Sequence, residues 1–124
     1  MGYTGFVADP VSNVQTTSCA NGELNLSWGL PLSYTAADNE VLVFAKLSSA
    51  ITIGSPSNAL TSYTANSAFG SGTAYENDAS AFCVYKGDAS NMTITGLNPG
   101  STYHYAIFNT SGSPTAYSTE EVGS

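Results

Sequence analysis

A single histidine, His104, is available to any catalytic triad or imidazole-bearing metal site in this 124-residue chain. A serine hydrolase of the α/β type also needs a Gly-x-Ser-x-Gly elbow, and the sequence contains none. His104 lies between two tyrosines in a run of strand-forming residues, where a histidine on the outward face is an ordinary surface residue. We therefore predict no catalytic residue and expect that the chain is not an enzyme.

Carboxylates that are close in sequence could act as a general acid and base, or could hold a cation. The close pairs are Asp38 with Glu40, Glu76 with Asp78, and Glu120 with Glu121. A glycosidase needs two carboxylates at a defined separation across a cleft. None of these loops has the Asp-x-Asp-x-Asp-Gly pattern of a calcium loop. Solvated loop charge is the favoured interpretation, with a weak cation site as the alternative, so no metal and no cofactor is predicted.

The cysteines are Cys19 and Cys83. They are too few and too far apart for a zinc site, which takes four ligands in close pairs. A disulfide between them would close a long loop and add about 4 kcal/mol if it were unstrained. Buried free thiols are the alternative, because cysteine is among the most buried residue types. The sequence leaves both alternatives open.

The cationic side chains are Lys46 and Lys86, and the net charge is −7. Nucleic acid is not expected as a partner, because its binding depends on lysine and arginine releasing counterions. No apolar run approaches the roughly 18 residues of a spanning helix, so no membrane insertion is expected. The start of the chain lacks the basic and then apolar pattern of a signal peptide, so the signal of an exported protein would lie outside this chain.

Lys86, Gly87 and Asp88 form a short variant of an adhesive tripeptide, with a cation and a carboxylate at the tip of a turn. Gly-Asp is also ordinary turn chemistry, which is the favoured interpretation. The aromatic residues offer the better sign of function. Tyr63, Phe69 and Tyr75 in the middle of the chain could stack on sugar rings or contact a protein. The favoured interpretation is structural, in which they pin their own segment to the body of the domain.

Seven short strand-like runs, separated by turn signals, position these residues: 11–17, 23–28, 40–47, 81–85, 92–95, 103–108 and 116–122. The second run alternates polar and apolar residues, so Leu24, Leu26 and Trp28 share one buried face. Trp28, the only tryptophan, is expected to anchor the core. Asn98, Pro99 and Gly100 suit a type II turn, with proline at its second position and glycine at its third. This pattern predicts an all-β antiparallel sandwich.

The third run is apolar at consecutive positions from Val41 to Ala45, so both of its faces must be covered. Residues 54–80, which we call the insertion, are rich in glycine, serine and asparagine. Loops of this length without structure are rare in compact domains. Our hypothesis is that the insertion folds over the outer face of the sheet, with Tyr63 or Phe69 as the pin.

Trp28 and the run from Thr93 to Tyr103, TITGLNPGSTY, resemble a fibronectin type III domain over about residues 10–122. The resemblance implies an immunoglobulin-like sandwich with an enlarged insertion between strands C and E. It implies that Leu97 packs under the Pro99-Gly100 turn and that Tyr103 is the corner tyrosine, its hydroxyl bonded back to the backbone. Alternation then turns Tyr105 and Ile107 inward, and turns His104, Ala106 and Phe108 outward. The predicted division is a lead-in at residues 1–9 and one domain at 10–124.

The run from Tyr63 to Gly72 is similar to one found in fibronectin-like modules of large exported bacterial proteins. That similarity implies a non-catalytic spacer or protein-interaction module of a larger secreted or cell-surface protein, monomeric as an isolated domain. Its partners would be neighbouring domains of the chain, and also a protein or a polysaccharide. The alternative function is a carbohydrate-binding accessory domain that uses exposed loop tyrosines.

Overall fold

Two antiparallel sheets stack face to face in the computed structural model, which describes residues 11–18, 22–32, 34–36, 39–48, 63–75, 78–98, 100–111, 116–117 and 121–123. The strands are β1 Ser12–Ser18, β2 Leu24–Gly29, β3 Asn39–Leu47, β4 Ala74–Tyr75, β5 Asp78–Gly87, β6 Asn91–Ile94, β7 Tyr103–Ser111, β8 Ala116–Tyr117 and β9 Glu121–Gly123. The smaller sheet has the order β1-β2-β6. The larger has the order β4-β5-β3-β7, and β8 and β9 both pair with the far edge of β7.

The main core lies between the two sheets. Trp28 of β2 is 4% exposed and meets the ring of Tyr85 at 5.7 Å between centroids, which confirms its predicted place as an anchor. Leu26 shares its face, as the alternation in this strand predicted. The larger sheet contributes Val43 and Ile107, among others, from the opposite side. The indole Nε1 has no hydrogen-bond partner in the described part of the chain, and a buried N–H without a partner lowers the stability of the fold.

A second core covers the outer face of the larger sheet. Leu42 and Phe44 of β3 point away from the main core and are fully buried. Ala106 and Phe108 of β7 lie beside them, so the predicted outward direction of both side chains is confirmed. The cover includes Tyr63 and Tyr75, which come from the insertion. The prediction that something must lie over the outer side of β3 is therefore confirmed.

Most of the predicted strands are confirmed, with three differences. The predicted last strand at 116–122 corresponds to two short strands, β8 and β9. The short strand β4 was not predicted, because two residues cannot display an alternation. The end of the predicted insertion, residues 78–80, is the start of β5. The predicted lead-in at 1–9 lies outside the described residues, as does the turn proline, Pro99. Among the residues described, no helix is long and apolar enough to cross a membrane.

Candidate functional site

The corner between β6 and β7, at residues 97–103, is closed by one hydrogen bond to a side chain and one within the backbone. The N–H of Asn98 donates to the hydroxyl oxygen of Tyr103 at 2.8 Å. The N–H of Ser101 donates to the carbonyl of Asn98 at 3.2 Å, and Gly100 takes a φ of +82°. This is the turn that the sequence predicted, with glycine at the position that needs a positive φ. Leu97 packs against the main core beneath it.

The described part of the insertion, residues 63–75, is fastened to β5 through the backbone of Cys83. The N–H of Cys83 donates to the carbonyl of Thr73 at 2.8 Å, and its carbonyl accepts from the N–H of Asn66 at 3.1 Å. Within the insertion, the N–H of Thr73 donates to the carbonyl of Thr64 at 3.0 Å. Gly72 lies so close to β5 that a Cβ placed on it would stand 1.9 Å from the carbonyl oxygen of Cys83.

The insertion also reaches the smaller sheet. Thr95, just after β6, donates its N–H to the carbonyl of Ser67 at 2.8 Å and accepts from the N–H of Phe69 at 2.9 Å. The Phe69 ring meets the rings of Tyr103 and Phe82 edge-on, at 5.2 Å and 5.7 Å between centroids. The insertion therefore links the outer face of one sheet to the edge of the other.

The less favoured hypothesis, that Tyr63 and Tyr75 present exposed rings to a sugar or a protein, was wrong. Tyr63 is 1% exposed and Tyr75 is 2% exposed. Tyr75 stacks on Phe44 at 4.4 Å between centroids, and Tyr63 meets the same ring edge-on at 5.1 Å. The apolar outer face of β3 captures both rings, because their burial removes a large apolar area from water. Tyr63 is thus a pin of the insertion, as hypothesised, and Phe69 is half-buried at the β6–β7 corner.

Both lysines hold the insertion or its neighbour β5. Lys46 Nζ lies 2.5 Å from Asp78 Oδ2, and these side chains are 15% and 8% exposed. Lys86 Nζ donates to the carbonyl oxygen of Tyr63 at 3.1 Å. Both lysine side chains therefore help to hold the fold together.

The Lys86-Gly87-Asp88 turn has its carboxylate engaged as well. The Tyr34 hydroxyl donates to Asp88 Oδ1 at 2.6 Å. Burial, followed by this hydrogen bond and the charge of Asp88, raises the pKa of Tyr34, so the phenol stays protonated and keeps donating. The Tyr34–Asp88 bond and the Lys86–Tyr63 bond both agree with the favoured interpretation, in which this tripeptide is an ordinary turn.

Cys83 is a buried free thiol, so the disulfide alternative is not realised. Its Sγ–H donates to the carbonyl of Tyr85 at 3.6 Å. Burial raises the pKa of the thiol to about 12, which makes it unreactive at neutral pH. Cys19 lies outside the described residues.

His104 is half-buried on β7, opposite Lys46 in the strand register. The described part of the chain holds no group of three or more His, Cys, Asp or Glu side chains that could bind a metal. Of the acidic pairs considered above, Asp38, Glu76 and Glu120 lie outside the described residues. The interpretation as solvated loop charge was wrong for Asp78, which begins β5 with its side chain 8% exposed and is paired with Lys46. Glu40 lies opposite Thr110 on β7.

One open cleft lies between the β1–β2 hairpin and the β6–β7 corner, with a volume of about 470 Å³. Tyr103, Tyr105, Leu24 and Leu97 are its less exposed lining residues and form the floor. Its exposed polar lining residues form the rim: Thr16, Glu23, Asn98, Ser101 and Thr102. Burial, and then the neighbouring Tyr103, raises the pKa of Tyr105, which keeps its phenol neutral.

Comparison with solved structures agrees with this fold. A structure described as "Titin kinase and its flanking domains" matches 95% of this chain with a TM-score of 0.51 and 13% identity. The fold is an immunoglobulin-like β-sandwich. This chain spans 16% of the length of that structure, and the likeness concerns the fold alone. No protein-family model and no curated protein matches the chain.

In this immunoglobulin-like sandwich the cleft is the feature that sequence reasoning missed. Its rim comes from β1, from the hairpin and from the β6–β7 corner, which are distant along the chain. Each rim residue taken alone is an ordinary polar loop or strand residue. The one signal in the sequence was the corner itself, because it fixed Tyr103 and therefore Tyr105 on the inward face of β7.

Proposed function

We propose that this chain is a non-catalytic module of a larger secreted or cell-surface protein, of the fibronectin type III kind. The corner supports this assignment, because Leu97, Gly100 and Tyr103 occupy the positions that the resemblance implies. The pairing of β1-β2-β6 against β5-β3-β7 is the arrangement of such a module. The secreted setting and the bacterial parent rest on the resemblance of residues 63–72.

One observation supports the non-catalytic role: both lysines, Asp78 and Asp88 are engaged in holding the insertion and the loops. Lys46 is paired with Asp78, and Lys86 is bonded to the Tyr63 carbonyl. Asp88 accepts from Tyr34. Contacts of this kind fix the shape of a module.

The second core favours a stiff spacer over a module that docks through an apolar face. Tyr63 and Tyr75 fill the outer face of the larger sheet, a face that would otherwise be a broad apolar patch. Leu32 is the single large apolar side chain that is exposed among the described residues. A closely packed domain resists deformation, so it would hold the adjoining domains of the parent protein at a fixed distance.

The test is a replacement within the gene that encodes this chain. Residues 10–124 are deleted in one variant and exchanged for an unrelated sandwich domain of equal length in another. A spacer predicts that the exchange restores the function of the parent protein and that the deletion does not. An interaction module predicts that neither variant functions in the native setting. Loss of a chemical turnover that maps to residues 10–124 would overturn the proposal.

A further inference from the structure

Lys46 and Asp78 bring an amine and a carboxyl group into contact from two neighbouring strands, β3 and β5. Lys46 Nζ lies 2.5 Å from Asp78 Oδ2, and both side chains are largely buried. Since Cγ is one bond beyond Oδ2, the nitrogen stands roughly 3–3.5 Å from that carbon, the spacing of a near-attack arrangement. Two groups held in this way react as if each met the other at a concentration of about 10⁵–10⁸ M.

The pair borders the second core. Lys46 follows Phe44 on the outward face of β3. Tyr75 stacks on Phe44 and lies opposite Asp78 where β4 pairs with β5. Holding two charges away from water costs free energy, which their mutual attraction repays only in part. A neutral amide formed from the same two groups carries no charge, so these surroundings favour condensation more than water does.

The second carboxyl oxygen of Asp78 accepts from a backbone donor. The N–H of Ser80 donates to Asp78 Oδ1 at 3.1 Å. When an amine adds to Cγ, negative charge develops on the oxygen that stays, and a fixed N–H at that oxygen stabilises the charge. The two oxygens therefore differ in their partners. Oδ1 is placed to stay as the amide oxygen, and Oδ2, beside the amine, is placed to leave.

His104 of β7 is placed to carry a proton. It lies directly opposite Lys46 in the β3–β7 register. Residues directly opposite each other on antiparallel strands have Cβ atoms about 4.5–5.5 Å apart. An imidazole both accepts and releases protons near neutral pH. It can take a proton from the amine nitrogen and give it to the oxygen that leaves.

We propose that Lys46 and Asp78 condense to an isopeptide bond, a covalent cross-link between β3 and β5. The ammonium group loses one proton, its nitrogen adds to Cγ, and the Cγ–Oδ2 bond breaks. Oδ2 leaves as water with the two protons that the nitrogen gives up. Nζ remains bonded to Cγ as a neutral secondary amide, and the step consumes no oxidant and no cofactor. The ion pair is the state that precedes this bond.

The cross-link closes a loop that contains the described part of the insertion, residues 63–75. Its ends are 32 positions apart along the chain. A covalent closure of this kind stabilises a domain mainly by restricting its unfolded chain. An amide also survives reducing agents that would open a disulfide. The bond goes beyond the proposed module function and does not depend on it, since the replacement experiment reads out the parent protein alone.

The test is the intact mass of the purified, folded chain after prolonged standing at neutral pH. The expected mass is lower than that of the sequence by one water. A protease digest should then contain a fragment in which the peptides that hold Lys46 and Asp78 are joined. On a denaturing gel the joined chain should run ahead of an unjoined one, because its closed loop cannot extend.

Lys46→Arg keeps a cation beside Asp78 and lacks the attacking amine, so this variant should keep the full sequence mass. Lys86→Arg is the matched control at the other lysine and should lose one water as the unchanged protein does. His104→Gln should lower the fraction joined at a fixed early time after expression begins, with a rate about tenfold lower or less. An unchanged rate would remove the histidine from the reaction.

Two results would overturn the proposal. One is a full sequence mass for the unchanged, folded chain after prolonged standing. The other is a loss of water that persists in Lys46→Arg, since this would come from cyclisation of an aspartate and not from a bond to Lys46. Circular dichroism of Lys46→Arg shows whether the variant is folded, and a folded variant that stays unjoined supports the bond.

Discussion

The backbone N–H of Asn98 donates to the hydroxyl oxygen of Tyr103 across 2.8 Å. A side chain at the start of β7 thereby closes the turn that leads into the same strand. The bond is part-buried, so water replaces it poorly when it is lost. The same corner receives the edge of the Phe69 ring from the insertion and forms one wall of the cleft. The turn, the insertion and the cleft therefore meet at this one tyrosine.

Replacing Tyr103 by phenylalanine keeps the ring and removes the hydroxyl. The Asn98 N–H then lacks its partner, and the free energy of unfolding should fall by about 1–3 kcal/mol. Chemical denaturation followed by tryptophan fluorescence measures the change, since Trp28 is buried in the main core. Tyr105→Phe is the matched control on the same face of β7 and should change stability by much less. Equal denaturation midpoints for Tyr103→Phe and the unchanged protein would remove the corner role from this hydroxyl.

Sequence reasoning anticipated this corner because its signals are local. A turn glycine, the leucine before it and the tyrosine after it lie within seven residues, from Leu97 to Tyr103. The two-sided burial of β3 was also predictable, since an unbroken apolar run cannot face water on one side. The register of the insertion was not predictable, because the short bonds that pair it with Thr95 run between backbone N–H and carbonyl groups. Backbone pairing of that kind leaves no mark on residue type.

The burial of Tyr63 agrees with its predicted place as a pin, and the structural interpretation was the favoured one for the tyrosines of the insertion. A strand with Leu42 and Phe44 on its outer face needs a cover, and aromatic rings supply a large apolar area for it. The cleft could not be predicted from the sequence, because its rim comes from three separate segments that only the folded sandwich brings together.

Gly72 should tolerate no side chain. An alanine Cβ would stand 1.9 Å from the Cys83 carbonyl oxygen and 3.1 Å from that of Thr64, so backbone must move on one side or the other. We expect Gly72→Ala to cost about 1–3 kcal/mol, as overpacking commonly does, and to speed amide exchange at Cys83 and Thr73. Ser71→Ala, exposed and adjacent, should stay within about 0.5 kcal/mol. Similar stabilities for the two variants would contradict the close contact between the insertion and β5.

Tyr75→Ala distinguishes a buried cover from an exposed sugar platform. Removing the ring that stacks on Phe44 leaves a cavity in the second core, and the expected loss is about 3–5 kcal/mol. Hydrogen exchange should become faster in residues 63–75 and at the outer face of β3, with less change at β2. If Tyr75 were instead an exposed platform, the same substitution would leave the unfolding midpoint unchanged and abolish retardation on a polysaccharide gel.

The Lys46–Asp78 pair should be worth more than an exposed ion pair, because its side chains are 15% and 8% exposed. Removing one partner leaves a largely buried charge, so Lys46→Met or Asp78→Asn alone should cost about 3–5 kcal/mol. The double variant should cost less than the sum of the two single changes. A double-mutant cycle from urea denaturation gives the coupling energy, and strictly additive losses would show that the pair does not act as one.

Alkaline pH should destabilise the domain partly through Cys83. Burial raises the pKa of its thiol from 9.0 to about 12, so the unfolded chain loses this proton at lower pH than the folded one. The stabilising contribution is therefore complete below pH 9 and is lost as the pH rises from 9 towards 12. In a Cys19→Ser background, the difference in unfolding free energy between Cys83 and Cys83→Ala should narrow over that range. A thiol reagent should also modify Cys83 only at the rate of opening, and rapid labelling of the native protein at pH 8 would contradict its burial.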